Sequence, residues 1–384
     1  ELAGKNAFLL FLADNRIALG FTAAVALILG AVFAFFAGAF LRRWKQSPLF
    51  STLIALILIM LVQAYAMGFS VDSFGEWCGR WVDNTLNVLR ANSSVGMIAL
   101  GMTLVVSASA GTDISVGSVM SLAGGVCCVL LAGFGNVNVS EYAIPLWLGV
   151  LAGILVACLC GAFNGFLVAG LKIQPMVATL ILLTAGRGIA MLITKGQNVT
   201  VYYEPFTYIG TTIPGSPLPT TIFIAALMVL FVVLIQKKTS VGLFVQAVGI
   251  NANAARRTGL KVSSIIFMVY VFSGICAGIA GLMESSMIAA ADPNNAGLNM
   301  EMDAILSVAL GGTLLSGGKF YIGGSIIGAI TIQTMTTTLY ALGVSSEQLP
   351  VYKALVVILI CLLQSEKFKG VLEKRTAEKA VKQR

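Results

Sequence analysis

The sequence predicts an all-α integral membrane protein: a polytopic bundle of about 10–11 transmembrane helices with a broken helix near 107–117. Three observations carry that prediction. Hydrophobic residues make up 58% of the 384 positions, and mean hydropathy is +0.93. Only 10% of residues are charged, against roughly 25% in a soluble domain, so the chain cannot build a water-facing surface of ordinary composition. The apolar residues also fall in runs of about 20, the length that crosses a hydrocarbon core some 30 Å thick.

Those runs cover 17–41, 49–69, 94–110, 114–133, 145–171, 176–194, 217–235, 264–290, 303–317, 322–342 and 351–364. The first is too long for the apolar region of a signal peptide and lacks a basic segment immediately before it, so it reads as a helix that stays. Residues 70–92 mix charges with aromatics, the pattern of a helix lying at the membrane interface. The tail from Lys367 to Arg384 is mixed in charge and reads as a short solvated or surface helix.

Net charge is +8 with pI near 9.2. A basic balance points to nucleic acid only when it forms a basic face on a soluble fold. Here it suits the cytoplasmic loops of a membrane protein, because lysine and arginine are retained on that side during insertion. Placing the C-terminus inside puts 42–45, 172, 236–261, 319 and the tail in the cytoplasm. Those segments hold 17 of the 24 basic residues, the opposite loops six, and Arg187 falls within a span. An odd number of spans then puts Glu1 outside.

Seven cysteines sit mostly within apolar runs without metal-ligand spacing, and read as small apolar residues. Histidine is absent, which removes a histidine triad, a histidine metal site and a histidine proton relay together. No metal site is expected.

Glycines cluster inside spans rather than loops. Gly101, Gly111 and Gly117, then Gly161, Gly165 and Gly170, then Gly274, Gly278 and Gly281 would let helices approach closely. In 107–117 (SASAGTDISVG) hydroxyl residues, two glycines and Asp113 interrupt an apolar run. A helix broken at membrane depth survives only where protein or a water-filled cavity satisfies the freed backbone, and an ionisable residue there is a functional candidate. Asp113 and Ser115 are therefore candidate path residues; an ordinary turn in which Asp113 caps the next helix is the competing reading.

Asn164, Arg187 and Gln333 also lie within spans, either lining a path or bonding a neighbouring helix. Arg187 is near the end of its span and could instead snorkel to the interface. The loop ADPNNAGLNM at 291–300 brings Asn294 and Asn295 close to Glu301 and Asp303. Carboxylates at a helix start complement its positive end, and Asn294, Asn295 and Asp303 join the candidates for contact with a sugar or partner.

Ser316-Gly-Gly-Lys319 invites comparison with a phosphate-binding loop. Thr313 and Phe320 stand where that loop needs glycine and a hydroxyl residue, so the chain has no evident ATP site. The longest internal polar segment, 236–263, fits a short helix over 246–257. Asn251 or Asn253 stands near its start, Gly259 is its stop, and alanines with Arg256 and Arg257 make a compact knob.

GTDISVG at 111–117, AVGINANAARRTGLKV, EMDAI at 301–305 and GGTLLSGGKF at 311–320 resemble the permeases of ribose- and galactose-type ABC importers. Residues 171–200 and 291–305 look closer still to the galactofuranose branch. The resemblance spans about residues 49–368. It implies a domain plan: an extra first span and basic loop at 1–48, the permease domain at 49–366 and a cytoplasmic tail at 367–384. The extra span departs from the family.

The resemblance further implies a bacterial inner-membrane location and alternating access without covalent chemistry. A binding protein would deliver the sugar, and a second, different permease would complete the path. No cofactor would be bound by this chain; ATP and magnesium would sit on a partner ATPase. The segment with Gly249, Asn251, Ala254, Ala255, Arg256 and Gly259 would be the coupling helix that enters the ATPase. Alternatives are a permease for another sugar or a nucleoside, or an ion-coupled carrier, which would want paired intramembrane charges. A membrane enzyme lacks an acid–base constellation here.

The topology is tested by single cysteines at Lys45 and Lys374 in a background without native cysteines. Both should resist an impermeant maleimide added to intact cells; labelling of both from outside would reverse the orientation.

Overall fold

The computed structural model describes residues 48–68, 74–212 and 218–355. The expected first span at 17–41, the tail at 367–384 and most of the last span lie outside the described residues. Helices dominate: α1 (Pro48–Gly68), α2 (Phe74–Ser109), α3 (Val116–Ala132), α4 (Leu146–Gly165), α5 (Pro175–Thr194) and α6 (Glu204–Thr207). They continue with α7 (Thr220–Lys238), α8 (Val241–Ile250), α9 (Ala252–Arg257), α10 (Val262–Met287), α11 (Met300–Leu310) and α12 (Ile322–Ala341). Among the described residues five helices are long and apolar enough to span a bilayer: α2 from Gly79, α4 with its continuation to Gly170, α5, α7 and α10.

Two expected boundaries change. The interfacial helix over 70–92 and the span at 94–110 are one continuous helix, α2. No proline interrupts 74–109, so the hydrogen-bond ladder runs through the change in polarity. At 1.5 Å per residue, its 36 residues reach about 54 Å, well beyond the hydrocarbon thickness. The expected span at 303–317 is instead α11, 11 residues long, followed by a turn. Gly312, Gly317 and Gly318 have φ of 81°, 88° and 96°, which takes the chain out of the helix there.

The described residues form two compact units: those up to Asn84 with those from Ile330, and those within Thr85–Ala329. In the first, the threonines of α12 answer their own hydroxyls. Thr334, Thr336, Thr337 and Thr338 each donate to the carbonyl four residues earlier, which satisfies those hydroxyls within an apolar helix.

In the second unit the C-terminal half of α2 is central. From Asn92 to Ala108 every residue but Leu104 is buried, the mark of a helix enclosed by protein. Helix α3 is almost wholly buried as well. Helices α4, α5 and α7 instead turn leucine, isoleucine and phenylalanine outward, among them Leu155, Leu159, Ile181, Leu227 and Phe231. Water would not tolerate so broad an apolar surface; lipid does.

Helices α4 and α10 pack extensively on one another. The buried face of α4 repeats every four residues through Gly149, Gly153, Ala157, Gly161 and Gly165. A Cβ at Gly161 would lie 2.5 Å from the Tyr270 carbonyl oxygen, and one at Gly274 would overlap the Ala157 carbonyl. Backbone meets backbone, as close packing in lipid requires. Gly170 has no such role: a side chain there would meet only Phe166, within its own π-helical turn Phe166–Gly170.

A small sheet is an addition to the all-α expectation. Strands β1 (Asn138–Val139), β2 (Val199–Val201) and β3 (Ala290–Ala291) lie in the order β1-β2-β3, the first pair parallel and the second antiparallel. It joins the loops that follow α3, α5 and α10.

Gly274→Leu should destabilise the α4–α10 contact by about 1–3 kcal/mol, as overfilled cores do. Thermal unfolding in detergent is the measurement, with Gly188→Ala as control, since no atom lies within 4 Å of a Cβ there. Equal melting temperatures for the two variants would refute the packing.

Candidate functional site

Helix α2 ends at Ser109 and α3 starts at Val116. Between them Ala110 takes φ 51°, and its N–H closes on the Val106 carbonyl at 3.1 Å. The break is lined with polar groups that answer one another. Asp113 Oδ1 accepts from the Ser115 N–H at 3.1 Å and the Ser115 hydroxyl at 2.7 Å. Asp113 Oδ2 accepts from the Ser273 hydroxyl on α10 at 3.0 Å. Asn164 Nδ2, on α4, donates to Ser115 Oγ at 2.8 Å. All four residues are buried.

Asp113 is thus not an N-cap of α3. Ser115 occupies that position and makes no side-chain cap bond; the carboxylate instead turns the chain just ahead of the helix. Further bonds fix the break to α5: the Ile114 N–H donates to Thr179 Oγ1 at 3.3 Å, and the Ser118 hydroxyl to the Leu182 carbonyl at 3.0 Å. Helices α3, α4, α5 and α10 and the loop therefore share one polar knot, in which three donors meet the buried Asp113 carboxyl.

Of the candidate residues, Asp113, Ser115 and Asn164 come together here. Ser273 escaped sequence reasoning. Its signal was a hydroxyl beside Gly274 in the apolar run VFSGIC, but 160 positions from Asp113 nothing local links them.

Arg187, Asn294 and Asn295 form a second group. From α5 the Arg187 guanidinium donates to three loop carbonyls: Pro293 at 3.3 Å, Asn294 at 2.6 Å and Ala296 at 3.1 Å. The loop is also wound on Asp292, whose Oδ1 accepts the N–H groups of Asn294 and Asn295, both at 3.0 Å, while Oδ2 accepts Asn295 Nδ2 at 2.8 Å. Burial pushes the Asp292 carboxyl up, but those donors and nearby Arg187 outweigh it and hold it below the ordinary range. The Asn294 and Asn295 residues remain exposed. Asp303 is buried in the first turn of α11, with Glu301 one position ahead of Met302 in the same turn.

The basic segment 236–263 forms two helices rather than one over 246–257: α8 and α9, divided at Asn251. The Asn251 side chain accepts the N–H groups of Asn253 and Ala254, each at 3.0 Å, a full N-cap of α9. At the other end Gly259 has φ 89°, and the Leu260 N–H reaches the Ala255 carbonyl at 3.1 Å, closing the helix as a glycine stop does. Ala255 is turned inward on Val248 and Val262, whereas Asn253, Ala254, Arg256 and Arg257 are exposed. Gly249 is not on the outer face either; it is pressed against the Ser107 carbonyl. The knob thus presents an outer surface of Ala254 with two arginines, on a pedestal made by Gly249, Asn251, Ala255 and Gly259. Among the described residues no group of acidic, cysteine or histidine side chains could hold a metal ion.

Comparisons with known proteins fit this architecture. A family profile described as the branched-chain amino acid transport system / permease component matches residues 84–364. The chain is 40% identical to the galactofuranose transporter permease protein of Escherichia coli K12, over 86% of this chain and 94% of that one. It is 37% identical to the fructose import permease protein of Bifidobacterium longum, over 89% and 95%. To the ribose import permease protein of Escherichia coli K12 it is 33% identical, over 85% and 96%. With the profile over most of its length and sugar permeases alike over 85–89% of it, the chain belongs to the branched-chain amino acid transport permease family, among its sugar ABC importer permeases and similar to the galactofuranose branch.

Proposed function

We propose that this chain is the membrane-spanning subunit of an ATP-driven importer that passes a galactofuranose-like monosaccharide from a binding protein to the cytoplasm. The observation that carries the reading is the near full-length likeness to the galactofuranose permease, at higher identity than to the fructose and ribose permeases. The chain works as a multi-pass inner-membrane transport component with its C-terminus cytoplasmic. It pairs with a second, different permease and with an ATPase that holds ATP and magnesium.

Its residues divide the work. The capped α9 meets the ATPase through Ala254, Arg256 and Arg257, where small and basic groups permit close docking. Gly249, Asn251, Ala255 and Gly259 hold that helix in place. Asp113, Ser115 and Asn164, with Ser273, keep the break between α2 and α3 in one shape beside the sugar path. Arg187 fixes the loop that carries Asn294 and Asn295 at the far end, and Asp303 lies in the first turn of the helix that follows it. The path alternates between outward and inward exposure as ATP closes the partner subunits. Affinity for the sugar resides mainly in the binding protein, which suits a path with few conspicuous ligands.

An ion-coupled carrier would need intramembrane charges free to pair and part. Asp113 is instead engaged by serines and Arg187 by carbonyl groups, on separate networks. Transport by the reconstituted complex with a panel of galactofuranose, fructose, ribose and a nucleoside, each with and without ATP, tests the reading. Uptake that ignores ATP, or that favours another solute, would replace it.

Two variants test the roles. Ala254→Trp adds volume at the proposed ATPase contact and should weaken it by about 1–3 kcal/mol, by analogy with overfilled cores. Co-purification of the ATPase and sugar-stimulated hydrolysis should fall together, while Ala377→Trp in the tail leaves both intact. Unchanged binding in Ala254→Trp would remove the docking assignment.

Asp113→Ala strips the acceptor from the Ser115 N–H and the Ser273 hydroxyl, at about 1–3 kcal/mol for each buried group left unpaired. Uptake per assembled permease should fall, with Asp113→Asn intermediate because one acceptor oxygen survives. Wild-type uptake by Asp113→Ala at equal protein level would show that the break is not tied to transport.

A further inference from the structure

The segment resembling a phosphate loop, 316–319, has a different use in this fold. Helix α2 ends at the break, so the carbonyls of its last turn have no intrahelical partner. One of them, on Ser107, accepts the N–H of Gly318 at 2.9 Å, from a loop more than two hundred residues away. The same carbonyl faces Gly249, near the end of α8. A Cβ at Gly249 would overlap the Ser107 carbonyl and lie 2.6 Å from the Gly318 nitrogen. Gly317 completes the junction, since a Cβ there would stand 3.0 Å from the Gly249 carbonyl oxygen and 3.1 Å from the Ala110 Cβ. Gly317 and Gly318 both have positive φ, 88° and 96°.

Three backbones therefore meet without an intervening side chain: the last turn of α2, the end of α8 and the 317–318 turn. Where side chains fill an interface, rotamer changes absorb small displacements. Direct backbone contact has no such compliance, and dense packing passes displacement on. Ser107 lies six residues before Asp113, and Ala110, touched by Gly317, opens the break itself. On the other side, Gly249 lies two residues before Asn251, the cap of the exposed knob.

We infer that the Ser107–Gly249–Gly318 junction is the link through which movement of the knob reaches the Asp113 helix break, with Gly249 and Gly318 as positioning residues for transport. This rests on the reading of the knob as the ATPase contact. The rival route runs through the pedestal: Val248, Ala255 and Val262 pack together, so the knob could move α10 instead and leave the break alone. Coupling through a contiguous contact is established only when both ends respond together, and that sets the experiment.

Hydrogen exchange is measured by mass spectrometry on the intact wild-type importer complex, with ATP and without nucleotide, and on the permease without its ATPase. The expected result is protection of peptides over 251–258 when the ATPase is present, with a nucleotide-dependent change in peptides over 104–116 and 313–322. Protection of 251–258 with no change in the other two peptides would overturn the junction while leaving the ATPase reading intact. No protection of 251–258 would overturn the ATPase reading, and the junction's role with it.

The functional arm compares Gly249→Ala with Gly323→Ala, a position where a Cβ meets nothing within 4 Å. In complexes that assemble with the ATPase, Gly249→Ala should move less sugar per ATP hydrolysed, by a factor of about 5–150, the range that coupling free energies span. Equal sugar-to-ATP ratios in the two variants would overturn the inference. Should Gly249→Ala fail to assemble, the exchange measurement on the unmodified complex decides.

Discussion

Within a bilayer an unpaired backbone N–H or carbonyl finds no water to replace its partner, and that constraint governs the centre of this molecule. The break between α2 and α3 frees several such groups at once. Each side of it is answered from a different part of the chain: Val106 from Ala110, Ser107 from Gly318, the Ser115 N–H from Asp113, and the Ile114 N–H from Thr179. Helices α4, α5 and α10 and the 317–318 turn must all be in place before the break is satisfied. The close glycine face of α4 on α10 follows from this, because only tight contact puts Asn164 and Ser273 within reach of Ser115 and Asp113.

The arrangement also satisfies the polar atoms of a buried carboxyl group. Asp113 has three donors on it, two from Ser115 and one from Ser273. Those bonds give both carboxyl oxygens partners within the protein. The loop that follows β3 works on the same rule with opposite charge, since Arg187 is held by carbonyl dipoles of Pro293, Asn294 and Ala296. Because the Asp292 carboxyl that winds this loop lies below the ordinary value of about 4, its contribution is complete above that pH. It is lost only as pH falls through the lowered value.

Much of this was legible in the sequence, and the reasons are specific. Spans such as 145–171, 176–194 and 264–290 were visible because length and apolarity are local properties. The break was visible because Asp113 among glycines and serines interrupts such a run, and Asn251 with Gly259 marked the ends of α9. What the sequence could not give was partnership. Ser273 has no local feature that points to Asp113, and Gly318 none that points to Ser107. Continuity was misjudged too: the charges in 74–92 suggested a separate helix, yet hydrogen bonding carries α2 through them. Short strands of two or three residues leave no periodic trace, so the β1-β2-β3 sheet was invisible.

That sheet has a consequence of its own. Its bonds run between main-chain groups, as from the Tyr202 N–H to the Val139 carbonyl and from the Val201 N–H to the Ala289 carbonyl, both at 2.9 Å. Main-chain bonds are indifferent to the side chains they carry. Exposed neighbours such as Phe134 and Tyr202 can therefore be exchanged freely while the frame beneath them stands. A frame built this way separates shape from surface: the scaffold can stay constant while the side chains it displays are rewritten one substitution at a time.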